Sequence, residues 1–396
     1  MDRARLLDLT RGLRRAGRVA TGIDRVEMAY LDRFLADDAP VFGLMRTALG
    51  YVLLDRDGMA VFRDCMEGRK PWDRPDLISR LPRGRSPAII RAETTVRRQA
   101  VGRCLPGRLR QTLMRHLPPG FDYYNVGHSN LTDRVLAGVK AAKGHVHVLV
   151  HDVIPLEYPL FQREGTVGPF RQMVARVGAK ADRVIYNSND TRSRTEARFR
   201  GRIPQGIVAH LGTVPPRPDP DELPQGLPPD RPYFVAVGTI EPRKNHAFLL
   251  DLWEQMGPGA PSLILCGSRG WNNHAVFHRL NELPPDSPVL ERPGLSDAAL
   301  AALVQGSRGL LFPTLAEGFG LPVVEALALG ARVLCNDLEV LREIAGKNAT
   351  FAPVSDRELW LNVIRDWEKN PPAVDGNRDF SVPGWSDHFG IVLRLN

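Results

Sequence analysis

Long apolar runs are missing from this 396-residue chain. None approaches the roughly 18–20 residues that a membrane helix needs, so no spanning segment is expected. The opening Met1-Asp2-Arg3-Ala4-Arg5 has no apolar core of the kind a signal peptide carries, and none is expected here. Cysteine is scarce: Cys65, Cys104, Cys266 and Cys335 are scattered, with no Cys-x-x-Cys pair. Cys266 and Cys335 fall in apolar, strand-like runs, where a free thiol behaves as a small core side chain. The reading is a reduced, cytoplasmic protein without structural zinc. No His, Cys or Asp cluster has metal-ligand spacing, so no metal is expected. Internal repeats are absent, and low complexity is confined to one proline-rich tract.

What is present fits a two-domain globular protein. The chain is too long for one ordinary core, and 43% apolar with 25% charged residues is a soluble composition. Residues 213–232 read TVPPRPDPDELPQGLPPDRP, with eight prolines among twenty residues. Such a tract forms neither helix nor central strand, and it marks a boundary between domains 1–212 and 233–396. Asp219-Pro-Asp221 inside it has the spacing of a metal-binding Asp-x-Asp, but in a linker it reads as linker.

After the tract, strand candidates at 233–240, 262–267, 309–314, 332–336 and 349–353 alternate with helical patterns such as 245–256. A helix is also expected from 385. Before it, strand candidates lie at 39–47, 51–54, 123–127, 146–150 and 183–187, with helices at 24–35 and 129–143. Alternation of this kind implies an α/β fold of two doubly wound parallel sheets. Ligands then bind in the crevice at the carboxyl ends of the strands.

The net charge of +8 is unevenly spread. From 80 to 115 there are ten arginines (80, 83, 85, 91, 97, 98, 103, 108, 110 and 115) against Glu93 alone. Leu105, Leu109, Leu113 and Leu117 recur every fourth residue, as on an amphipathic helix. No aromatic residue interleaves the arginines, which argues against single-stranded nucleic acid. Two readings of this segment stay open, a solvated helix face and a surface for anionic lipid or a lipid-linked phosphate acceptor, and peripheral contact with an anionic membrane is the one carried forward.

The most informative stretch is Glu317-Gly-Phe-Gly-Leu-Pro-Val-Val-Glu325. It follows a short apolar strand, and Pro322 opens a helix that ends before Gly330. Strand, glycine loop and helix start together present free N–H groups and a positive dipole end. Val237-Gly-Thr-Ile-Glu-Pro-Arg-Lys-Asn245 sets Arg243 and Lys244 before a helix start, where cations oppose the dipole and therefore need a reason, such as a diphosphate. Thr21-Gly-Ile-Asp-Arg25 opens an earlier helix. Tyr124-Asn-Val-Gly-His-Ser-Asn130 and His151-Asp-Val-Ile-Pro155 each begin a loop at a strand's end, as does Gly267-Ser-Arg-Gly-Trp271.

These blocks, in this order, resemble the retaining nucleotide-sugar glycosyltransferases of family 4, which include glycogen synthases and bacterial mannosyltransferases. The resemblance runs from Thr21 to Ile344 and is strongest from Val237 onward. It implies the GT-B arrangement, two Rossmann-like domains facing across a cleft, with acceptor on the first and nucleotide-sugar on the second. Carried over residue by residue, it makes His128, Glu317, Arg243 and Lys244 catalytic. It makes Gly22, His151, Asp152, Gly267, Gly318, Phe319, Gly320, Leu321 and Glu325 substrate-binding. Glu325 would hold the ribose, and the N–H groups of Phe319, Gly320 and Leu321 the sugar hydroxyls. Ser188 matches a strand-end serine of the family and reads as architectural. The chain departs from many relatives at Thr239, where they have arginine, so Arg243 is expected to take over part of that work. The implied activity is transfer of a hexose to a glycan or lipid-linked acceptor in surface polysaccharide assembly, without metal or other cofactor. GDP-mannose is the first donor to consider and a UDP-glucose-type donor the alternative. A GT-B nucleotide-sugar epimerase is the rival activity. Nucleic acid is not an expected partner.

Overall fold

The computed structural model describes residues 3–78, 84–372 and 380–394. Two sheets organise it. The first contains β1 (Arg5–Asp8), β2 (Val41–Thr47), β3 (Gly50–Leu54), β4 (Gly102–Cys104), β5 (Asp122–Asn125), β6 (His145–Val150), β7 (Arg183–Tyr186) and β8 (Gln205–Val208). Their order is β4-β3-β2-β1-β5-β6-β7-β8. The second contains β9 (Tyr233–Val237), β10 (Ser262–Cys266), β11 (Val289–Glu291), β12 (Leu310–Phe312), β13 (Val333–Cys335) and β14 (Thr350–Phe351), ordered β11-β10-β9-β12-β13-β14.

Every pairing in the second sheet is parallel. Its strands are continuous apolar runs such as Ser262–Cys266, buried throughout, because helices cover both faces. The order reverses between β9 and β12, so the strand ends Val237 and Phe312 flank the crevice where such folds bind ligands. Trp360 is fully buried on one side of this sheet, its ring edge-on to Phe248 at 5.2 Å.

The first sheet corrects one expectation. Strand 51–54 was read as part of a parallel sheet, but β3 pairs antiparallel with β2, and β4 antiparallel with β3. The connection after Thr47 is a tight turn at Ala48-Leu49, too short for the crossover that a parallel neighbour needs. The rest of the sheet is parallel, with β1 central between β2 and β5.

The proline tract runs irregularly, with one short turn at Pro220–Glu222 capped by the Asp219 side chain. The helix expected from 385 is Trp385–Leu393, at the end of the chain segment that follows the second sheet. It packs on the first domain. The Phe389 ring lies 4.9 Å from Tyr30, and the His388 ring nitrogens reach the Tyr30 hydroxyl at 2.8 Å and the His210 carbonyl at 3.0 Å. Apolar burial against Tyr30 and Phe34 outweighs sequence proximity to the second domain.

The basic segment is not one helix. Pro87–Arg98 and Leu109–His116 are separate helices with β4 between them. Leu109, Leu113 and Leu117 face the core, while Leu105 is exposed. Arg85 and Arg97 pair with Glu93, Arg97 also with Asp76, and Arg98 with Asp73. Arg103, Arg108, Arg110 and Arg115 are exposed. Arg80 and Arg83 lie outside the described residues.

Candidate active site

The site is built at the end of β9 and β12. After Val237 the chain turns through Gly238, and Pro242–Lys244 forms a single tight turn. A methyl group at Gly238 would lie 3.2 Å from Lys244 Cε, so glycine lets the lysine cross the strand end. Asn245, directly before the next helix, takes a left-handed backbone (φ 57°) without a side-chain capping bond. Its Nδ2 instead donates to the Pro313 carbonyl at 3.3 Å, tying the two strand ends together.

Glu317 is the centre of the cluster. Its Oε2 accepts from Arg243 Nη1 at 2.9 Å and from Lys244 Nζ at 2.8 Å. Arg243 also donates to the Ala316 carbonyl at 2.8 Å and to Glu241 Oε1 at 2.7 Å. Lys244 Nζ lies 4.4 Å from the Phe312 ring centre. Burial alone would raise the Glu317 carboxyl, but Arg243 and Lys244 outweigh it and hold it at about 2. Burial works against the Lys244 charge and lowers its pKa despite Glu317. The group is thus a largely buried ion cluster in which two cations share one carboxylate.

The first domain supplies the opposite wall. A methyl group at Gly318 would lie 2.3 Å from the His151 carbonyl, so the glutamate loop rests directly on the His151-Asp152 strand end. Burial pushes the Asp152 carboxyl up to about 6, against the pull of Arg243 and the Ile154 N–H. Ser188 Oγ and Thr191 Oγ1 donate to the Gly318 carbonyl at 3.3 and 3.0 Å. Glu343, from the second domain, accepts the backbone N–H groups of Asn189 and Asp190 and meets His210 Nε2 at 2.9 Å. These contacts fix the loop from behind, and neither Thr191 nor Glu343 stands in a block that the sequence singled out.

Two helix starts face each other at the mouth. Gly22 opens Gly22–Leu35 and approaches the Leu321 side chain, the first residue of Leu321–Ala328. One turn inward, Arg25 bridges to Glu325 and to Asp297, both at 2.8 Å. Burial raises the Glu325 carboxyl, with Arg25 opposing. Beside this bridge lies a cavity of only about 30 Å³, flanked by Val237, Leu300 and Pro322. Arg25 thus takes the carboxylate that the family resemblance assigns to ribose. Sequence alone gave no sign of a contact between residues 300 positions apart.

The structure brings Asp152, Arg243, Lys244, Glu317 and Gly318 together and sets Gly22, Leu321 and Glu325 at the rim. The backbone N–H groups of Phe319, Gly320 and Leu321 have no acceptor among the described residues, and Gly320 is left-handed (φ 96°). The Phe319 side chain is buried, 6.0 Å from the His210 ring. Gly267 packs against the Gly238 carbonyl where β9 and β10 end side by side. Trp271, from the same loop, spans the domains: its Nε1 donates to the Phe161 carbonyl at 2.8 Å, under Arg163.

The two histidines sit deeper. His128 has a left-handed backbone (φ 57°), and its Nε2 meets the Leu149 carbonyl at 3.0 Å. His151 Nε2 meets the Val126 carbonyl at 2.6 Å. Each ring therefore links its own strand end to the other's. Burial holds His128 neutral, its pKa down to about 4, and takes His151 well below the usual range. His128 Nε2 also lies 3.4 Å from the His151 backbone N–H, so the ring is held between the two strand ends.

Below them lies a buried acid that sequence reasoning passed over. Glu27 Oε1 accepts the Gly12 N–H at 2.7 Å, while Oε2 is buried without a partner and faces Gly127. Burial pushes this carboxyl up to about 8 from 4.5. A folded pKa above the unfolded one means that the native state holds the extra proton between those values. Stability from this group is therefore complete below pH ~4.5 and lost as pH rises through ~8, at up to about 1.4 kcal/mol per unit. Glu27→Gln, which mimics the protonated acid, is expected to flatten that fall. Thermal melts of both proteins from pH 5 to 8 test this, and parallel curves would refute it.

Comparison with known proteins follows this division. Residues 220–380 match the family model described as "Glycosyl transferases group 1". The chain is 29% identical over 278 residues to the serotype-specific mannosyltransferase WbdA of Escherichia coli, covering 65% of this chain and 34% of WbdA. It is 28% identical over 145 residues to the O-antigen chain mannosyltransferase RfbU of Salmonella typhimurium, covering 36% and 40% respectively. The chain thus spans about a third of the length of WbdA. Among solved structures, Anabaena Alr3699/HepE in complex with UDP-glucose superimposes with a TM-score of 0.67 at 14% identity, over 99% of both chains. Sucrose-phosphate synthase from Thermosynechococcus elongatus gives 0.61 at 16%, over 93% of this chain and 90% of that one. The fold is GT-B: two α/β domains facing across a cleft.

Proposed function

We propose that this chain, a GT-B protein like those of glycosyltransferase family 4, moves a hexose from a nucleotide-sugar to a glycan or lipid-linked acceptor in surface polysaccharide assembly, with retention at the sugar carbon. The observation that carries this is Glu317, shared by Arg243 and Lys244 at the strand-order reversal and packed against the His151-Asp152 strand end. A donor diphosphate entering between the helix starts at Gly22 and Leu321 would draw Arg243 and Lys244 toward itself. Glu317, released from them, would then face the cationic sugar carbon. The bond from that carbon to the phosphate oxygen breaks while the acceptor oxygen attacks on the same face. The acceptor proton passes to the departing phosphate oxygen. Asp152, on the acceptor side, is placed to orient the attacking hydroxyl. Glu325 would bind the ribose hydroxyls once Arg25 has left it, so donor entry requires the Arg25 bridge to open.

Mannose from GDP-mannose is the proposed donor, supported by mannosyltransferase relatives at 28–31% identity. The test is a panel of nucleotide-sugars, including UDP-glucose, incubated with and without EDTA. Two cations and two helix N-termini already supply positive charge to the leaving group, so turnover is expected to survive chelation. Loss of activity in EDTA, restored by magnesium or manganese, would overturn the metal-free mechanism.

We place the protein in the cytoplasm, at the inner face of the membrane. No helix among the described residues is long and apolar enough to cross one. Arg103, Arg108, Arg110 and Arg115 are exposed, as are Leu105 and Met114 in the same segment. Each arginine contributes about 1 kcal/mol near an anionic surface. Co-sedimentation with anionic but not neutral vesicles is expected, reversed by salt. Equal indifference to both vesicle types at low salt would retire this role.

A further inference from the structure

One buried acid takes no part in the proposed transfer. Glu27, on the helix Gly22–Leu35, is 2% exposed, and its carboxyl is wedged between two glycines of other elements. Gly12, in the helix Thr10–Arg15, donates its N–H to Oε1 at 2.7 Å, and a methyl group there would lie 2.7 Å from the same oxygen. A methyl group at Gly127, just past β5, would lie 2.5 Å from Oε2 and 2.9 Å from the Arg11 stem. Glycine weakens a helix, and at both places it makes room for one carboxyl. Oε2 itself has no hydrogen-bond partner. The charged groups that face Glu27 are Asp8 at the end of β1, Arg11, and Asp24 one turn earlier on its own helix. Arg11 is already taken, its Nε by Asp24 at 2.7 Å and its Nη2 by Thr21 at 3.1 Å. Burial, aided by the two acids, therefore keeps the carboxyl neutral at pH 7 and moves its titration to about 8.

Two interlocked strand ends connect this carboxyl to the ion cluster. Gly127 stands between Val126 and His128. His151 Nε2 meets the Val126 carbonyl at 2.6 Å, and His128 Nε2 meets the Leu149 carbonyl at 3.0 Å. The ends of β5 and β6 therefore move as one. Gly318, and with it the Glu317 loop, rests on the His151 carbonyl. An ionised Glu27 needs water or a counterion, and its contact with Gly127 must open to admit either. Ionisation thus displaces the Gly127-His128 turn and shifts the floor under the cluster.

We propose that Glu27 is a positioning residue: its neutral carboxyl seats the Gly127-His128 turn and, through it, aligns the His151-Asp152 strand end with Glu317 for sugar transfer. This role deepens the glycosyltransferase reading and rests on it. The test uses the full chain as wild type, Glu27→Gln and Glu27→Ala, from pH 7 to 9. Glu27→Gln, the conservative mimic of the neutral acid, should support transfer across the whole range. Relative to it, wild-type turnover should fall about tenfold between pH 7 and 9, as the neutral fraction falls. The ratio of their nucleoside diphosphate affinities, read by calorimetry, should stay constant, which a general loosening of the fold would not allow. Glu27→Ala removes the seat and should be at least about tenfold slower than Glu27→Gln at every pH. A constant turnover ratio of wild type to Glu27→Gln, or Glu27→Gln as slow as Glu27→Ala at pH 7, overturns the proposal. A second readout needs no turnover. The His128 ring itself titrates at about 4, so a change in its carbon-labelled imidazole NMR signal between pH 7 and 9 reports a neighbour. That change should appear in wild type and vanish in Glu27→Gln, with His128→Asn identifying the signal. Its absence from wild type, or its persistence in Glu27→Gln, also overturns the proposal. Failure of the glycosyltransferase reading shows separately, as no consumption of any nucleotide-sugar by wild type while the His128 signal still reports Glu27.

Discussion

Glu317→Gln is expected to lower turnover roughly a hundred- to thousandfold, or about 3–4 kcal/mol of barrier, while leaving nucleoside diphosphate binding intact. The carboxylate stays ionised across the whole working range, because Arg243 and Lys244 hold it at about 2. Its effect is therefore a constant charge with no titration of its own above pH ~4. Glutamine keeps the shape and can still accept one bond through its oxygen. It cannot balance two buried cations, nor the positive charge that develops on the sugar carbon. Without Glu317 as a competitor, Arg243 and Lys244 are free to meet the diphosphate, so calorimetry should show unchanged or tighter nucleotide binding. A variant that loses nucleotide affinity and turnover in equal measure would place Glu317 in donor binding instead of catalysis.

Lys244→Ala is expected to lose a similar factor in turnover but with the opposite binding signature. The ammonium group is buried, 2.8 Å from Glu317 and over the Phe312 ring. Removing it takes a cation from the leaving diphosphate and leaves Glu317 to Arg243 alone. Nucleoside diphosphate affinity should then fall together with turnover. Lys244→Arg should not rescue it fully, because a planar fork does not fit where Gly238 makes room for a narrow alkyl chain. Near-native nucleotide binding in the alanine variant would contradict the assignment.

The two signatures depend on features that the sequence shows to different degrees. The second domain was legible, because its strands are unbroken apolar runs and its loops carry Gly238, Gly318 and Gly320 where the backbone must turn sharply. The Glu317, Arg243 and Lys244 blocks stand at strand ends for the same reason. The first domain was harder. β1 is only Arg5–Asp8, flanked by charge, and local periodicity cannot show that it lies at the centre of an eight-stranded sheet. Antiparallel β3 depends on the tight turn after Thr47, and β4 returns to it only after two helices, so neither pairing shows in the local pattern. Pairing across the cleft was invisible, since Arg25 with Glu325, and Thr191 with Gly318, follow from how two domains pack and not from any spacing along the chain. The packing of the C-terminal helix on Tyr30 was hidden for the same cause: its apolar face says that it packs, but not on which neighbour.

The most direct measurement is a double-mutant cycle on turnover, with wild type, Glu317→Gln, Lys244→Ala and the double variant assayed on the nucleotide-sugar that the panel identifies. Residues that act as one unit at one reacting centre are strongly non-additive. The double variant should therefore be little slower than the slower single variant, with its melting transition retained. Near-native turnover in the double variant with an intact fold would show that sugar transfer takes place elsewhere in the molecule.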